Sequence, residues 1–366
     1  MTKFIWVLCA ICSLGHAVTL KVSVLSIFEP RLVRITLQEN GQPSEVRLLD
    51  ASRLEKDGKI FSEITFQSSY PIKVEIPGRI TRSYAGSLTL SSHQNKLLLV
   101  NHISVEKYLD SVVYAEMGKA HPEMYRVQAI IARTKALERA RERFREPFFL
   151  TDLTDSQAYK GFSHTTAQVK KAVLDTRDLV LTHKDQLATV YYSSTCAGAT
   201  TTPVLVWGSH EEGFSPVSCR LQGQSLCGNS PHFKIWEWRV EARKLRLMLG
   251  LDRLDSIKVK ERDPSGRALW LEITGSENRR MRGENFRIQV GRFFRQWGLL
   301  KSSLFFLEQE GNVYIFKGRG LGHGVGLCQF GAQELARRGF GYEKILSFYF
   351  PLLTIKKYQF TRMEHD

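Results

Sequence analysis

A single carboxylate, Glu116, stands in the run VVYAEM, with Val112, Val113, Tyr114 and Ala115 before it and Met117 after it. Apolar surroundings disfavour the charged form of a carboxyl, raise its pKa and suit it to general acid work near neutral pH. The bland alternative is a helix-end glutamate bonded to backbone or to Arg133. Arg133 lies in AIIARTKAL, among small and apolar residues. A guanidinium there must be paired or face a cavity. It could steer an anionic substrate group, hold Glu116, or serve the fold alone.

Far along the chain, GRGLGHGVGLCQFGA carries glycine at 318, 320, 322, 324 and 326. A dinucleotide fingerprint needs G-x-G-x-x-G, and no start within this loop satisfies it. The G-K-[ST] of a phosphate-binding P-loop is also missing. What remains is backbone that can approach a ligand closely. It presents His323 at its tip and Gln329 at the start of a following helix. A histidine between glycines is poorly suited to a packed core, so a site role is expected. Cys328 could pair with His323 as a nucleophile, but no orienting third group is evident.

Six cysteines are present. Cys9 and Cys12 fall in the first 17 residues, leaving Cys196, Cys219, Cys227 and Cys328. Cys196, Cys219 and Cys227 with His232 could hold a structural zinc through three thiolates and an imidazole. The spacing is not that of a C-x-x-C knuckle. A disulfide, most simply Cys219–Cys227, is the competing expectation in an exported protein.

The elements that must position these residues can be read from periodicity. Val18 to Val100 shows short apolar runs divided by Glu-Asn-Gly, Lys-Asp-Gly and proline turns, and predicts hairpins. Apolar residues at 105, 109, 112, 113 and 117 predict a helix ending at Gly118. Pro122 opens a second helix to about Phe144. Glu116 therefore sits at the break of a helix pair. Residues 165–175 predict a further helix, and 178–183 with 187–195 a strand pair turning at Lys184-Asp185. Residues 196–232 read as an irregular insert, and 236–299 alternate weakly between helix and strand. A strand over 313–316, the glycine loop, a helix from Gln329 and a last helix from Tyr342 close the chain. The fold class is α+β, with a mixed β-sheet scaffold and a helix pair carrying the acid.

The 366 residues are 43% hydrophobic and 24% charged, globular values with no disordered bias. The net charge of +15 suits a polyanionic partner. No RNP-like, zinc-finger or basic-zipper spacing supports nucleic acid. Lys3, the apolar run from Phe4 to Leu14 and Gly15-His16-Ala17 have the form of a secretory signal peptide over 1–17. No later stretch has 18 consecutive apolar residues, so no membrane span is expected after signal removal. Export to the periplasm or cell envelope turns the expected polyanion from nucleic acid toward wall material.

Several segments together resemble the SpoIID/LytB family of cell-wall proteins. They include VEKYLDSVVYAEM, VQAIIARTKAL, TDSQAYKG, YYSSTCAGATT, SPHFKIWEW and GRGLGHGVGLCQFGAQELARRGFGYEKIL, in the family's order. The resemblance covers about residues 75 to 355. It implies an N-terminal β-rich region over 18–100, a catalytic region over 101–360 and a long substrate groove. Its sporulation members resemble lytic transglycosylases acting on peptidoglycan strands stripped of stem peptides. Residue by residue, the family's catalytic glutamate falls on Glu116. Groove positions fall on Arg133, Tyr159, His323 and Gln329. No cofactor is implied for catalysis. One carboxyl suffices for a transglycosylase, which protonates the bridging oxygen between N-acetylmuramic acid and N-acetylglucosamine and lets the sugar's own 6-hydroxyl close a 1,6-anhydro ring. LytB-type relatives imply the alternative of a non-catalytic enhancer of a peptidoglycan amidase. Many members carry a histidine where this chain has Ser193. If that histidine is a ligand there, the fourth ligand here would be His232 or Cys328.

Overall fold

The computed structural model describes residues 18–39, 41–153, 156–162, 164–296 and 298–358. The expected signal peptide lies outside the described residues. The chain forms two compact units, one from the described residues of 1–108, 140–163 and 358–366, the other from 109–139 and 164–357. The chain first crosses between the units after Tyr108, and residues 140–163 return to the N-terminal unit.

The N-terminal unit is built from two sheets, as the alternating pattern of its strands requires. One has six strands in the spatial order 59–61, 54–56, 43–48, 32–36, 72–76 and 80–84. The other has five, in the order 150–151, 19–23, 96–104, 87–93 and 63–67. Strand Ile72–Ile76 buries Ile72, Val74 and Ile76 and turns Lys73 outward, the period-2 signature of a half-buried strand. Returning residues 156–162 are received by this unit. Phe162 N donates to Ser83 O at 2.7 Å, and Tyr159 packs 5.0 Å from Tyr108 and 6.0 Å from Tyr84 between ring centroids.

The second unit holds two separate apolar cores. The first joins Val127, Ile130 and Ile131 to Val190, Leu327, Leu335, Ile345 and Phe350. Two helices feed it: α1, Val105–Met117, and α2, Pro122–Glu142. They match the expected pair closely. Gly118, at φ +57°, ends α1, with its N–H on Tyr114 O at 2.8 Å. The Tyr125 hydroxyl then donates to Gly118 O and accepts from Ala120 N, both at 3.0 Å. One side chain thus fixes the turn between the helices.

The second core lies wholly within 236–316 and includes Trp236, Leu271, Ile273, Phe286, Val290 and Phe316. The stretch that reads weakly in sequence is therefore an ordered module. Its sheet runs Leu254–Arg262, Ala268–Gly275, Arg279–Arg282, with helices Ala242–Leu249 and Gly283–Phe293. Strand Trp236–Glu241 enters the module and Val313–Gly318 leaves it, paired antiparallel with Trp236 opposite Gly318. The expected 187–195 strand is mostly irregular. Only Gln186–Leu187 pairs with the preceding strand, while Tyr192–Ser193 pairs in parallel with Leu327–Cys328. A partner more than a hundred residues away outcompetes the local hairpin. Among the described residues, no helix is long and apolar enough to cross a membrane.

Candidate active site and cysteine cluster

Glu116 occupies the last turn of α1 and is half-buried. Its neighbour Met117 receives Gln329, whose Nε2 lies 3.5 Å from the Met117 sulfur. Gln329 opens the helix Gln329–Arg337 that follows the glycine loop. Further bonds tie the same elements: His121 N donates to Gln333 Oε1 at 3.2 Å, and Tyr342 N to Glu123 Oε2 at 2.9 Å. The end of α1, the start of α2 and the helix after the loop thus form one corner of the second unit.

The loop is glycine-rich for a steric reason. At Gly324, φ +78°, an added Cβ would fall 2.2 Å from the Arg267 guanidinium. At Gly326, φ +70°, it would meet Tyr191 O at 2.2 Å. Residues with a Cβ adopt such angles only at a cost and cannot make such approaches without displacing the neighbour. Arg267 is buried and donates to Cys196 O at 2.8 Å and Ala199 O at 3.2 Å. The loop is therefore laid on backbone that is itself held by a buried guanidinium.

His323 accepts a hydrogen bond from Val325 N at Nδ1, 3.0 Å. That bond assigns the proton of the neutral ring to Nε2, which is left as a donor. Its ring packs 5.1 Å from Trp207 and 6.0 Å from Tyr191. Burial pushes its pKa down to about 4, against the opposing field of Glu284. Glu284 is buried in the module helix Gly283–Phe293 and pairs with Arg287 at 2.5 Å. Burial works to raise the Glu284 carboxyl, but Arg287 outweighs it and holds the group below its ordinary range. The site thus offers a neutral imidazole donor, aromatic faces and an ionised buried carboxylate paired to arginine. Glu284 and Trp207 are absent from the sequence-derived set. Trp207 stands beside Gly208 in the sequence, and Glu284 carries no local mark.

Two expected groove residues have internal roles. Arg133 is 1% exposed, and its guanidinium donates to Leu179 O at 3.1 Å and Val173 O at 3.3 Å. It braces α2 against the strand that follows the helix Ala167–Asp175. Tyr159 is also 1% exposed and belongs to the N-terminal unit, where its hydroxyl meets Asn101 Oδ1 at 2.8 Å. Both side chains are thus enclosed by their own units rather than exposed at a surface. His323 and Gln329 retain partial exposure and do face outward in part.

The cysteines converge. Cys196, Cys219, Cys227 and Cys328 are all buried and unbridged, with their sulfurs within 4.8 Å of one another. Cys196 and Cys227 sulfurs are 3.9 Å apart. A disulfide needs about 2.05 Å. A tetrahedral zinc with Zn–S of about 2.3 Å places sulfurs about 3.8 Å apart. The donor set and spacing fit that ion. Hydrogen bonding with Cys196 lowers the Cys227 thiol and raises Cys219, while burial raises Cys328. Four thiols this close cannot all ionise without a cation among them. The fourth member is Cys328, not His232. The parallel pairing of 192–193 with 327–328 delivers Cys328 to Cys196, whose N–H lies 3.3 Å from the Cys328 sulfur. His232 instead gives its carbonyl to Gly320 N at 2.7 Å. Ser193, at the position where a histidine was expected in relatives, is buried against Gly322.

Comparison with known proteins fits this division. The family model "Stage II sporulation protein", SpoIID, matches residues 93–183. A "Domain of unknown function (DUF8618)" matches 238–326, the module and the loop. An uncharacterised protein of Brachyspira hyodysenteriae is 27% identical over 290 residues, 77% of this chain and 75% of the relative. Stage II sporulation protein D of Bacillus subtilis is 25% identical over 269 residues, 69% of this chain and 74% of the relative. An amidase enhancer of the same organism is 37% identical over 60 residues, 16% of this chain and 8% of the relative.

Proposed function

The chain belongs to the SpoIID/LytB family, and from that premise we propose that its cell-wall role is the cleavage of peptidoglycan glycan strands by lytic transglycosylation. The observation that carries this reading is the joining of the Glu116 helix to the His323 loop through Met117 and Gln329. Glu116 donates its proton to the bridging oxygen between N-acetylmuramic acid and N-acetylglucosamine, and the C–O bond breaks. The muramic oxocarbenium is captured by its own 6-hydroxyl, and that proton returns to Glu116. Atoms and charge balance without water, and the product ends in 1,6-anhydromuramic acid. A second carboxylate on the far face of the sugar, which hydrolases need, is not required. His323, neutral at working pH, supplies a hydrogen bond that costs no desolvated cation. Trp207 and Tyr191 provide apolar faces for a sugar ring.

The four thiolates of Cys196, Cys219, Cys227 and Cys328 would hold a structural zinc, whose contribution would be to cross-link the segment after strand Tyr192–Ser193, the 219–227 hairpin and the loop exit. The chemistry at Glu116 takes nothing from it. Export to the periplasm or cell envelope belongs to the same reading, since the substrate is there.

The 60-residue likeness to an amidase enhancer supports a second reading. In it the protein binds glycan and assists a separate peptidoglycan amidase without turnover. Purified protein incubated with stem-free glycan strands separates the two by mass spectrometry. Transglycosylation yields anhydromuramic ends with wild type and none with Glu116→Gln, which still folds and binds strands. Equal amidase stimulation by both proteins, with no anhydro product from either, refutes the enzyme.

A further inference from the structure

Three side chains of the module reach out of it to the segment 196–205. Arg267 donates to Cys196 O and Ala199 O, and Asp263 Oδ2 accepts from Thr201 Oγ1 at 2.6 Å. Arg282 Nη1 donates to Leu205 O at 2.8 Å and to Val204 O at 3.3 Å. The same segment is tied to the glycine loop, where Thr201 N donates to Gly324 O at 3.0 Å. It therefore runs between the module and the backbone that carries His323.

The Arg282 contact falls on a helix that cannot hold itself. Pro203–Val206 is a single turn, and one isolated turn fixes too many dihedrals for the bonds it gains. Trp207 N takes Pro203 O at 2.7 Å and Gly208 N takes Val204 O at 3.0 Å. Leu205 O, in the same closing turn, finds its donor in Arg282. Arg282 is itself held in place. It stands opposite Trp270 in the strand pair, with its guanidinium 4.6 Å from that ring centroid. An added Cβ on Gly208 would come 3.0 Å from its Nη2. One residue past the helix, the Trp207 ring lies 5.1 Å from His323 and 4.8 Å from Tyr191. Any rotation of the turn would swing the indole off both rings.

We propose that Arg282 is a positioning residue for the aromatic wall of the site: by capping the turn Pro203–Val206 it fixes Trp207 against His323. What the wall binds rests on the glycan-cleaving reading, whereas the arrangement of the wall does not. The face offered to a sugar ring is then aimed from inside the module, while the acid is placed by the helix pair.

The test reads the wall directly. The His323 ring proton, identified as the NMR signal missing from His323→Asn, carries the ring-current shift of Trp207, and Trp207→Leu removes that shift. Arg282→Ala is expected to move the signal most of the way to its Trp207→Leu position. It should also raise KM for glycan strands about tenfold with kcat little changed, the mark of lost ground-state binding. Arg282→Lys, which keeps one donor, should fall between, and it decides the question if Arg282→Ala does not fold. Arg280→Ala removes the other guanidinium from Trp270, 5.0 Å from its centroid, and should change neither readout. In the double variant Arg282→Ala should add nothing to Trp207→Leu, because both remove the same wall. A histidine signal unmoved by the Arg282 variants, or KM increases that multiply in the double variant, overturns the proposal. A wild type that yields no anhydromuramic product refutes the glycan-cleaving reading, and the histidine signal then decides the positioning alone.

Discussion

Acidifying the protein from about pH 7.5 to about pH 4.5 separates what the folded and unfolded chains do with the His323 proton. The unfolded imidazole titrates near its ordinary value of 6.5, while the folded one is pushed down to about 4. The folded state therefore binds this proton less readily. Its contribution to stability is complete above about 6.5 and is lost as the pH falls toward 4. A gap of roughly 2.5 units is worth at most about 3.4 kcal/mol. At pH 4.5 about three-quarters of that has been lost, and part of the ring is exposed to screening water, so about 2 kcal/mol is expected. His323→Asn is the informative variant, because its amide oxygen can still accept from Val325 N without titrating in this range. Urea unfolding of both proteins at both pH values gives four free energies. Wild type should lose about 2 kcal/mol more than the variant on acidification. Glu284, held below its ordinary range, also costs stability in acid, but it does so in both proteins and largely cancels. Equal losses would show that the folded imidazole titrates like a free one, and the account of a neutral donor at the loop would fail.

Cys328→Ser should remove a zinc that wild type carries at roughly one equivalent by elemental analysis, and lower the melting temperature by about 10 °C. A thiol count showing two disulfides in metal-free wild type would refute the cluster's role. Gly324→Ala should cost about 3 kcal/mol or more, from the left-handed backbone and the displaced Arg267 guanidinium. Gly339→Ala, at φ +85° with nothing within 4 Å of the added atom, should cost only about 1 kcal/mol. Equal melting temperatures for the two variants would show that the Arg267 contact carries no weight.

What the sequence discloses here follows from the range of the interactions. The helix pair around Glu116 is legible because α1 and α2 are set by local periodicity, Gly118 and Pro122. The glycine loop is legible because close approach of backbone leaves a compositional trace. Three of the four clustered cysteines, Cys196, Cys219 and Cys227, lie near one another in the chain, and that proximity is legible. Cys328 carries no local mark of membership, because its arrival depends on Tyr192 pairing with Leu327 across the whole module. Arg133 illustrates a different difficulty. Its apolar neighbourhood shows that the guanidinium is enclosed, but which carbonyls receive it depends on where 173–179 pack. The module over 236–316 escapes notice because its strands alternate on one face only and its helices are short. Glu284, for the same reason, has no local mark that distinguishes it from a surface glutamate.

The antiparallel pairing of Trp236–Glu241 with Val313–Gly318 has a bearing on the history of the chain. The two ends of the module emerge side by side, and the segment between them closes around its own apolar interior. Such an arrangement can accept or lose a whole folded cassette with little displacement of what lies outside it. A lineage exchanging this cassette would leave Glu116 where the helix pair puts it. The cysteines flank the cassette, Cys227 before it and Cys328 after, so a metal held by them would clasp the junction shut whichever insert it carries.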